Sequence, residues 1–324
     1  MKSMERSLYE FQARESLPLQ PDCSPTIPSL ILPLKIHPSI VRLNNYTNRR
    51  WYKLMNSSGV LNSLRLIKGY AVWKTMDVFS WRSFMYLLVF SQIITPLVSL
   101  LVWQAVTAQE QTVNDWSSAE FLIYYLAIIM VRQLTVSYEH HMLGMNIYSG
   151  EITSLLLKPH HLLYSVIGEN LAVKIVSYTV SIPLIILLWI SFSPTSLPSL
   201  SNIMLFILTV INASILRFLW LYLLTLTAFW TEKTHSLVNA GEVVIFLIGG
   251  EVAPLFLING VFGEIAYYLP FYGMLGFPAE TLIGIKGVSL SHGLLLQYGW
   301  MFILLLLCTW VYKKGIKRYS ALGG

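Results

Sequence analysis

The stretch from Ile175 to Leu216 contains no Asp, Glu, Lys or Arg. Soluble chains carry about 25% charged residues, so an uncharged run of that length has few resting places in a water-soluble fold. A bilayer offers one, since about 20 apolar residues cross it as a helix. The stretch is too long for one crossing, and SPTSLP (193–198) interrupts it. It reads as two spans, near 171–192 and 202–230, joined by a tight turn. The remaining chain repeats the pattern. No charge occurs from Ser83 to Gln109, which places a span near 84–106. Others fall near 119–138, carrying Arg132, near 236–258, and near 292–312, between Lys286 and Lys313. The expected fold is all-α and polytopic, with six transmembrane helices. Composition agrees: 55% of residues are hydrophobic and 12% charged. Those proportions exclude a soluble two-domain enzyme, and they exclude disorder over most of the chain.

Residues 1–55 differ. They hold Pro18, Pro21, Pro25, Pro28, Pro33 and Pro38 and show no sustained helical period. They also lack the apolar core of a signal peptide. They read as a disordered cytoplasmic leader, with Met55 a candidate alternative start, ahead of a transmembrane domain at 56–324. In 60–82, Leu61, Leu64, Ile67, Ala71, Val72, Met76 and Phe79 recur at spacings of three to five. Arg65, Lys68, Lys74 and Arg82 lie between them. This predicts an amphipathic helix in the headgroup plane; the alternative is an extension of the first span.

Net charge is +6, and its distribution sets orientation. Lys and Arg crowd the segment from Lys2 to Arg82 and the tail Lys313, Lys314, Lys317 and Arg318, whereas Glu110 and Asp115 are the charges of the first loop. Cytoplasmic loops hold the cations, so both termini are expected in the cytoplasm. The positive balance needs no nucleic acid partner.

Two segments stand out. In the connection 139–170, Gly150-Glu151 precedes an apolar patch of Ile152, Leu155, Leu156 and Leu157, and Lys158-Pro159 stops it. This predicts a short helix whose apolar face needs a cover, either the bilayer surface or a partner protein. The alternative is a plain connector packed on the span ends. In 248–284, Gly249, Gly250, Pro254, Gly260, Gly263, Pro270, Gly276 and Pro278 break an apolar run. Broken backbone at membrane depth survives only where protein or a water-filled cavity surrounds it. The segment reads as re-entrant outer helices between spans five and six, with Glu264 near their turn.

The order of these features resembles the permease of ABC-2 type transporters. Gly150, Glu151, Leu155, Leu156 and Pro159 fit a G-E-x-x-x-L-L-x-x-P coupling segment. Gly250, Pro254, Leu269, Pro270 and Phe271 fit the outer broken segment. The runs at 277–284 and 315–323 are similar to an uncharacterised branch formerly called DUF990. The resemblance covers about 60–324. It implies a permease domain at 56–324, paired with a second permease subunit, identical or related. It also implies an exporter driven by a separate ATPase at the cytoplasmic face, working by alternating access. ATP and Mg²⁺ would belong to that ATPase, since this chain has no G-x-x-x-x-G-K-[ST] loop and no Gly-Lys dipeptide. By the same resemblance, residues 150–158 are the coupling helix, with Lys158 at its end and Glu151 seating it. Helix 60–82 would transmit the ATPase's motion, and the broken segment would be the extracellular gate.

Charge inside a span is costly and usually paired. Counting 1.5 Å per residue, Arg217 and Glu251 reach nearly equal depths, with Glu242 shallower, so Arg217 is expected to pair with Glu251, within one subunit or across a dimer. Arg132 and Glu120, near the ends of span two, are expected to snorkel. The pairs His140-His141 and His160-His161 read as polar loop residues, Cys23 and Cys308 as free thiols. No catalytic set is legible. Two other classes stay open: an ion-coupled secondary transporter or channel using Arg217, Glu242 and Glu251, and an integral membrane lipid-modifying enzyme.

Overall fold

The computed structural model describes residues 60–319 except 111, 114–115, 159, 193–197, 259 and 285–288. The expected leader, 1–55, lies outside the described residues, as do Cys23 and Pro159. The described fold is helical, apart from a two-strand hairpin pairing Thr112–Val113 with Trp116–Ser117. Its helices in chain order are α1 (Val60–Ser80), α2 (Arg82–Glu110), α3 (Ser118–Leu134), α4 (Glu139–Tyr148), α5 (Ile152–Leu156), α6 (Leu163–Phe192) and α7 (Leu200–Thr225). There follow α8 (Thr234–Ile248), α9 (Val261–Tyr268), α10 (Pro270–Met274), α11 (Gly276–Ile283) and α12 (Leu290–Arg318).

Four segments are long and apolar enough to cross a membrane: Arg82–Ala108, Leu163–Phe192, Leu200–Phe229 and Leu290–Arg318. These match four of the six expected spans. At the other two places the helices are shorter, 17 residues in α3 and 15 in α8. The causes are local. Helix α3 begins where the Glu120 carboxylate accepts from the Ser117 N–H at 2.9 Å, the N-terminal half of a capping box. Glu120 is thereby a cap and does not snorkel. It ends where Thr135 turns its hydroxyl back on the Val131 carbonyl, at 2.8 Å, a side-chain bond that competes with helical geometry. Helix α8 ends at Gly249-Gly250, with Gly250 in the left-handed region at φ +94°. A side chain there would be strained.

Helix α3 forms the centre of the fold. Phe121, Tyr124, Tyr125, Ile128 and Val131 are fully buried, with α2, α6, α7 and α11 packed around them. Helices α10 and α11 are buried as well, from Pro270 to Leu282. Helix α2 instead exposes Phe84, Leu87, Phe90, Ile94 and Val98, the outward apolar surface expected of a helix in lipid. Apolar exposure on that scale would be a liability in water.

Helix α1 leans on the first turns of α6. Leu66, Tyr70 and Ala71 are buried there, and Lys74 Nζ lies 3.0 Å from Glu169. Its opposite side exposes Leu64, Val72, Trp73, Met76 and Phe79 beside Arg65 and Lys68. The amphipathic pattern is therefore used on both sides: one packs on protein, and the other keeps apolar and cationic residues outward. The contact closes at Gly168, where an added Cβ would sit 2.4 Å from Tyr70 Cβ and 3.1 Å from the Ala71 nitrogen. Gly168→Val is expected to lower stability by about 1–3 kcal/mol, the usual cost of overpacking. Gly299→Ala, with open space around it, should change little. Thermal unfolding in detergent compares the two.

Candidate coupling segment and buried charge network

Two sites hold most of the candidate residues legible in the sequence. The first is the turn after α4. Gly150 has φ +83°, a left-handed residue just beyond a helix end, and α5 follows. Thr153 Oγ1 donates to the Gly150 carbonyl at 2.8 Å and lies 3.1 Å from the Tyr319 hydroxyl. The sequence predicts an exposed apolar face here, and the structure corrects that. Ile152 is fully buried, while Leu155 and Leu156 pack against the core; Leu157 alone of the four is exposed, at 81%. The chain's own core covers the face, because a five-residue helix lies flat against the span ends.

Past α5 the chain is tied to α1. Lys158 Nζ donates to the Tyr70 hydroxyl at 3.3 Å and lies over its ring, 5.4 Å from the centroid. The same hydroxyl is 2.9 Å from His160 Nε2. The His161 ring packs on Tyr312 of α12, with centroids 4.5 Å apart. Residues 150–161 therefore touch α1, the core and α12. Partial burial lowers the pKa of His160 and His161 below the usual histidine value, and it lowers that of Lys158 also.

The second site is buried. Glu251 is fully buried on the turn after α8, and Arg132 Nη1 of α3 binds both its carboxylate oxygens. Arg132 Nη2 donates to Gln92 Oε1 of α2, and Gln92 Nε2 donates to the Tyr138 hydroxyl at 2.8 Å. Arg217 of α7 is also buried. Its Nη2 donates to Glu242 Oε2 at 2.7 Å and its Nη1 to Thr135 Oγ1 at 3.1 Å. The expected Arg217–Glu251 pair does not form within this chain. Arg217 pairs with Glu242 and Arg132 with Glu251. The depth count assumed a helix running through Glu251, but α8 stops at Ile248. Helix α7 meets α8 closely at Gly241, where an added Cβ would sit 2.2 Å from Leu224 Cδ1. That approach sets Glu242 beside Arg217. Arg132 does not snorkel either, because its partner lies inward. Sequence reading missed Gln92, Tyr138 and Thr135; polar residues within or ending apolar helices were the available signal.

The turn holding Glu251 is satisfied from α3 and α2. The Tyr124 hydroxyl donates to the Gly250 carbonyl at 2.7 Å. The Tyr125 hydroxyl and Trp103 Nε1 each donate to the Val252 carbonyl at 3.0 Å. Pro254 is buried beside a 3₁₀ turn, Leu255–Leu257. Pro270 opens α10, and the Phe271 ring meets Trp220 edge-on at 5.1 Å. Glu264 does not join them: it is exposed on α9, among Val261, Phe262 and Ile265.

Long apolar helices around a buried polar centre define a multi-pass membrane protein. A model of the family described as ABC-2 family transporter protein matches residues 93–323. The chain belongs to that family and is a membrane permease component of an ABC transporter. None of the curated proteins compared with it matches.

Removing one member of a buried ion pair strands the other, at about 3–5 kcal/mol. Arg132→Met and Glu251→Gln should each lower the melting temperature in detergent, and Arg132→Met/Glu251→Met should recover much of the loss. Additive losses in the double variant would count against the pairing.

The histidines set a pH dependence. Their folded pKa lies below the unfolded value of about 6.5. As pH falls, the unfolded chain takes up protons first, so the folded state loses stability below about pH 6.5 and is unaffected well above it. His160→Asn should shrink the drop in melting temperature between pH 7.5 and 5.5.

Proposed function

We propose that this chain is the permease half of an exporter whose ATPase is a separate subunit docked on residues 150–158. The observation that carries the reading is the arrangement of that segment inside an ABC-2 chain. It is tied to α1 through Tyr70, to the core through Ile152, and to α12 through Tyr319 and Tyr312. Glu151, Ser154 and Leu157 are left facing outward. A docked subunit that pushed on this outward face would move α1 and α12 with it.

In this reading α3 and α8 complete six crossings. Helix α3 is enclosed by protein, and α8, which exposes Leu237, Val243 and Leu247, ends on a buried turn held by α3 and α2, since irregular backbone is tolerated at membrane depth where protein encloses it. Both termini lie in the cytoplasm, following the cations. Two permease subunits, identical or related, form the path, and α9 to α11 re-enter from the outer face as its gate. Arg132–Glu251 ties that gate to α3. Transport is by alternating access, with ATP and Mg²⁺ handled by the ATPase.

Leu157→Asp places a charge on the proposed docking face, where no internal packing is lost. Affinity-tagged wild-type protein should co-purify a soluble chain bearing a Walker A loop, and the variant should lose it while staying monodisperse. Transport that continued without ATP, with no such chain recovered, would favour the ion-coupled alternative. Turnover by the isolated chain would favour the enzyme.

A further inference from the structure

The hydrogen bonds around the adjacent histidines before α6 fix where their protons sit. The Leu163 N–H, the first of α6, donates to His161 Nδ1 at 3.2 Å. A backbone N–H can only donate, so Nδ1 holds a lone pair and the ring is neutral. His160 Nδ1 lies 3.4 Å from the His161 carbonyl. A carbonyl can only accept, so Nδ1 carries the proton of that ring. In the neutral ring Nε2 is then the acceptor, and the Tyr70 hydroxyl donates to it at 2.9 Å. The same hydroxyl accepts from Lys158 Nζ at 3.3 Å. The series Lys158, Tyr70, His160 joins α1 to the chain before α6, and His161 closes the first turn of α6.

Both histidine bonds need a neutral ring. A proton on His161 Nδ1 would remove the acceptor of the Leu163 N–H and set a positive charge at the positive end of a 30-residue helix. A proton on His160 Nε2 would turn an acceptor into a donor. Tyr70 would then have to accept from two cations, the imidazolium and the Lys158 ammonium.

The groups facing the two rings do not offset this. They are Tyr70 of α1, Tyr164 of α6, with its ring 6.5 Å from that of His160, and Tyr312 of α12, with its ring 4.5 Å from that of His161. Lys158 adds to burial in disfavouring a charged His160, and His160 does the same to His161. Glu169 of α6 is held by Lys74 at 3.0 Å, and Glu151 faces outward. On α1 and α12, Arg65, Lys68, Lys313 and Lys314 are exposed cations. Water reaches both rings, since His161 is exposed and His160 half-buried.

We propose that this junction is a proton-operated clasp. With both imidazoles neutral it holds α1 against residues 158–163. With both protonated it opens, freeing Tyr70 from Lys158 and His160 and fraying the first turn of α6. The opening is a property of this chain alone. Its bearing on transport rests on the reading that an ATPase docks on residues 150–158: acid on that side would slacken the link from the docked subunit to α1.

The test is hydrogen–deuterium exchange of the full chain in detergent at pH 7.5 and 5.5, with labelling times scaled for intrinsic exchange rates. A free imidazole has a pKa of about 6.5. Amides of residues 160–164 are therefore expected to exchange faster at pH 5.5, by up to about tenfold for each histidine that takes a proton on opening. Peptides from α7 should keep their rate. His160→Gln/His161→Asn, whose amide oxygens accept the same bonds without titrating, should stay closed at both pH values. Tyr70→Phe, which lacks the hydroxyl, should raise exchange at pH 7.5 toward the acid value. Equal exchange at the two pH values in the wild type would overturn the proposal, as would a Tyr70→Phe variant that exchanges like the wild type. So would a rise that survives in the double variant, which would place the titration in another group. A rise of equal size in α7 would mean general unfolding and would overturn it too. Size-exclusion profiles matching wild type separate these outcomes from misfolding of the variants.

Discussion

Backbone N–H and C=O groups freed inside an apolar region must find partners, and the cost of leaving them bare is several kcal/mol per group in hydrocarbon. This fold breaks helical backbone at interior places that include Thr135–Tyr138, Gly249–Pro254 and Leu275, and part of its polar architecture meets that requirement. At the first break the Tyr178 hydroxyl donates to the Leu134 carbonyl, while Asn170 Nδ2 and Arg217 Nη1 donate to the Ser137 and Thr135 hydroxyls and hold that turn through its side chains. At the second, Tyr124, Tyr125 and Trp103 take the freed carbonyls. Helix α3 supplies donors to the second break and ends in the first. Its burial follows from that duty: a helix whose side chains must satisfy neighbours on several sides has little surface left for lipid.

The two ion pairs obey the same logic. Each arginine reaches the neighbourhood of one break: Arg132 the carboxylate on the turn after α8, Arg217 the hydroxyl at the turn after α3. Arg132 and Thr135 are three residues apart, so they lie on one side of α3. A rotation of that helix would disturb the Arg132–Glu251 pair and the Arg217–Thr135 hydrogen bond together, whereas a single Arg217–Glu251 bridge would have bypassed it. The swap of partners therefore changes which element is central. Gln92 and Tyr138 extend the connection to α2 and to the residue just before α4.

What could be read from residues alone divides along this line. Charge-free length is a one-dimensional property, and it located four spans because those helices face lipid and must be long and apolar. The lengths of α3 and α8 depend on local stops, Glu120 on Ser117, Thr135 on Val131 and the left-handed Gly250, which a count of charge-free residues does not weigh. Glu251 failed for a nearer reason. Counting rise per residue is valid only while the helix lasts, and Gly249-Gly250 before Pro254 already argued that it does not. The apolar face at Ile152, Leu155 and Leu156 was visible as a pattern, but a pattern does not say whether the cover is the chain's own core or another molecule.

Residues 150–161 show how several weak contacts can fix a short segment. A short exposed helix contributes little stability of its own, since nucleating a turn costs more than one hydrogen bond returns. Residues 150–161 hold their shape because Tyr70 clasps Lys158 and His160 from one side while Tyr319 and Tyr312 meet Thr153 and His161 from another. Tyr70 in turn is seated where Gly168 lets α1 and α6 touch. A segment anchored on several bodies can be displaced only by moving them or by breaking the clasps. The strength of the clasps, more than the apolar area of α5, then sets how firmly this segment is joined to α1 and α12.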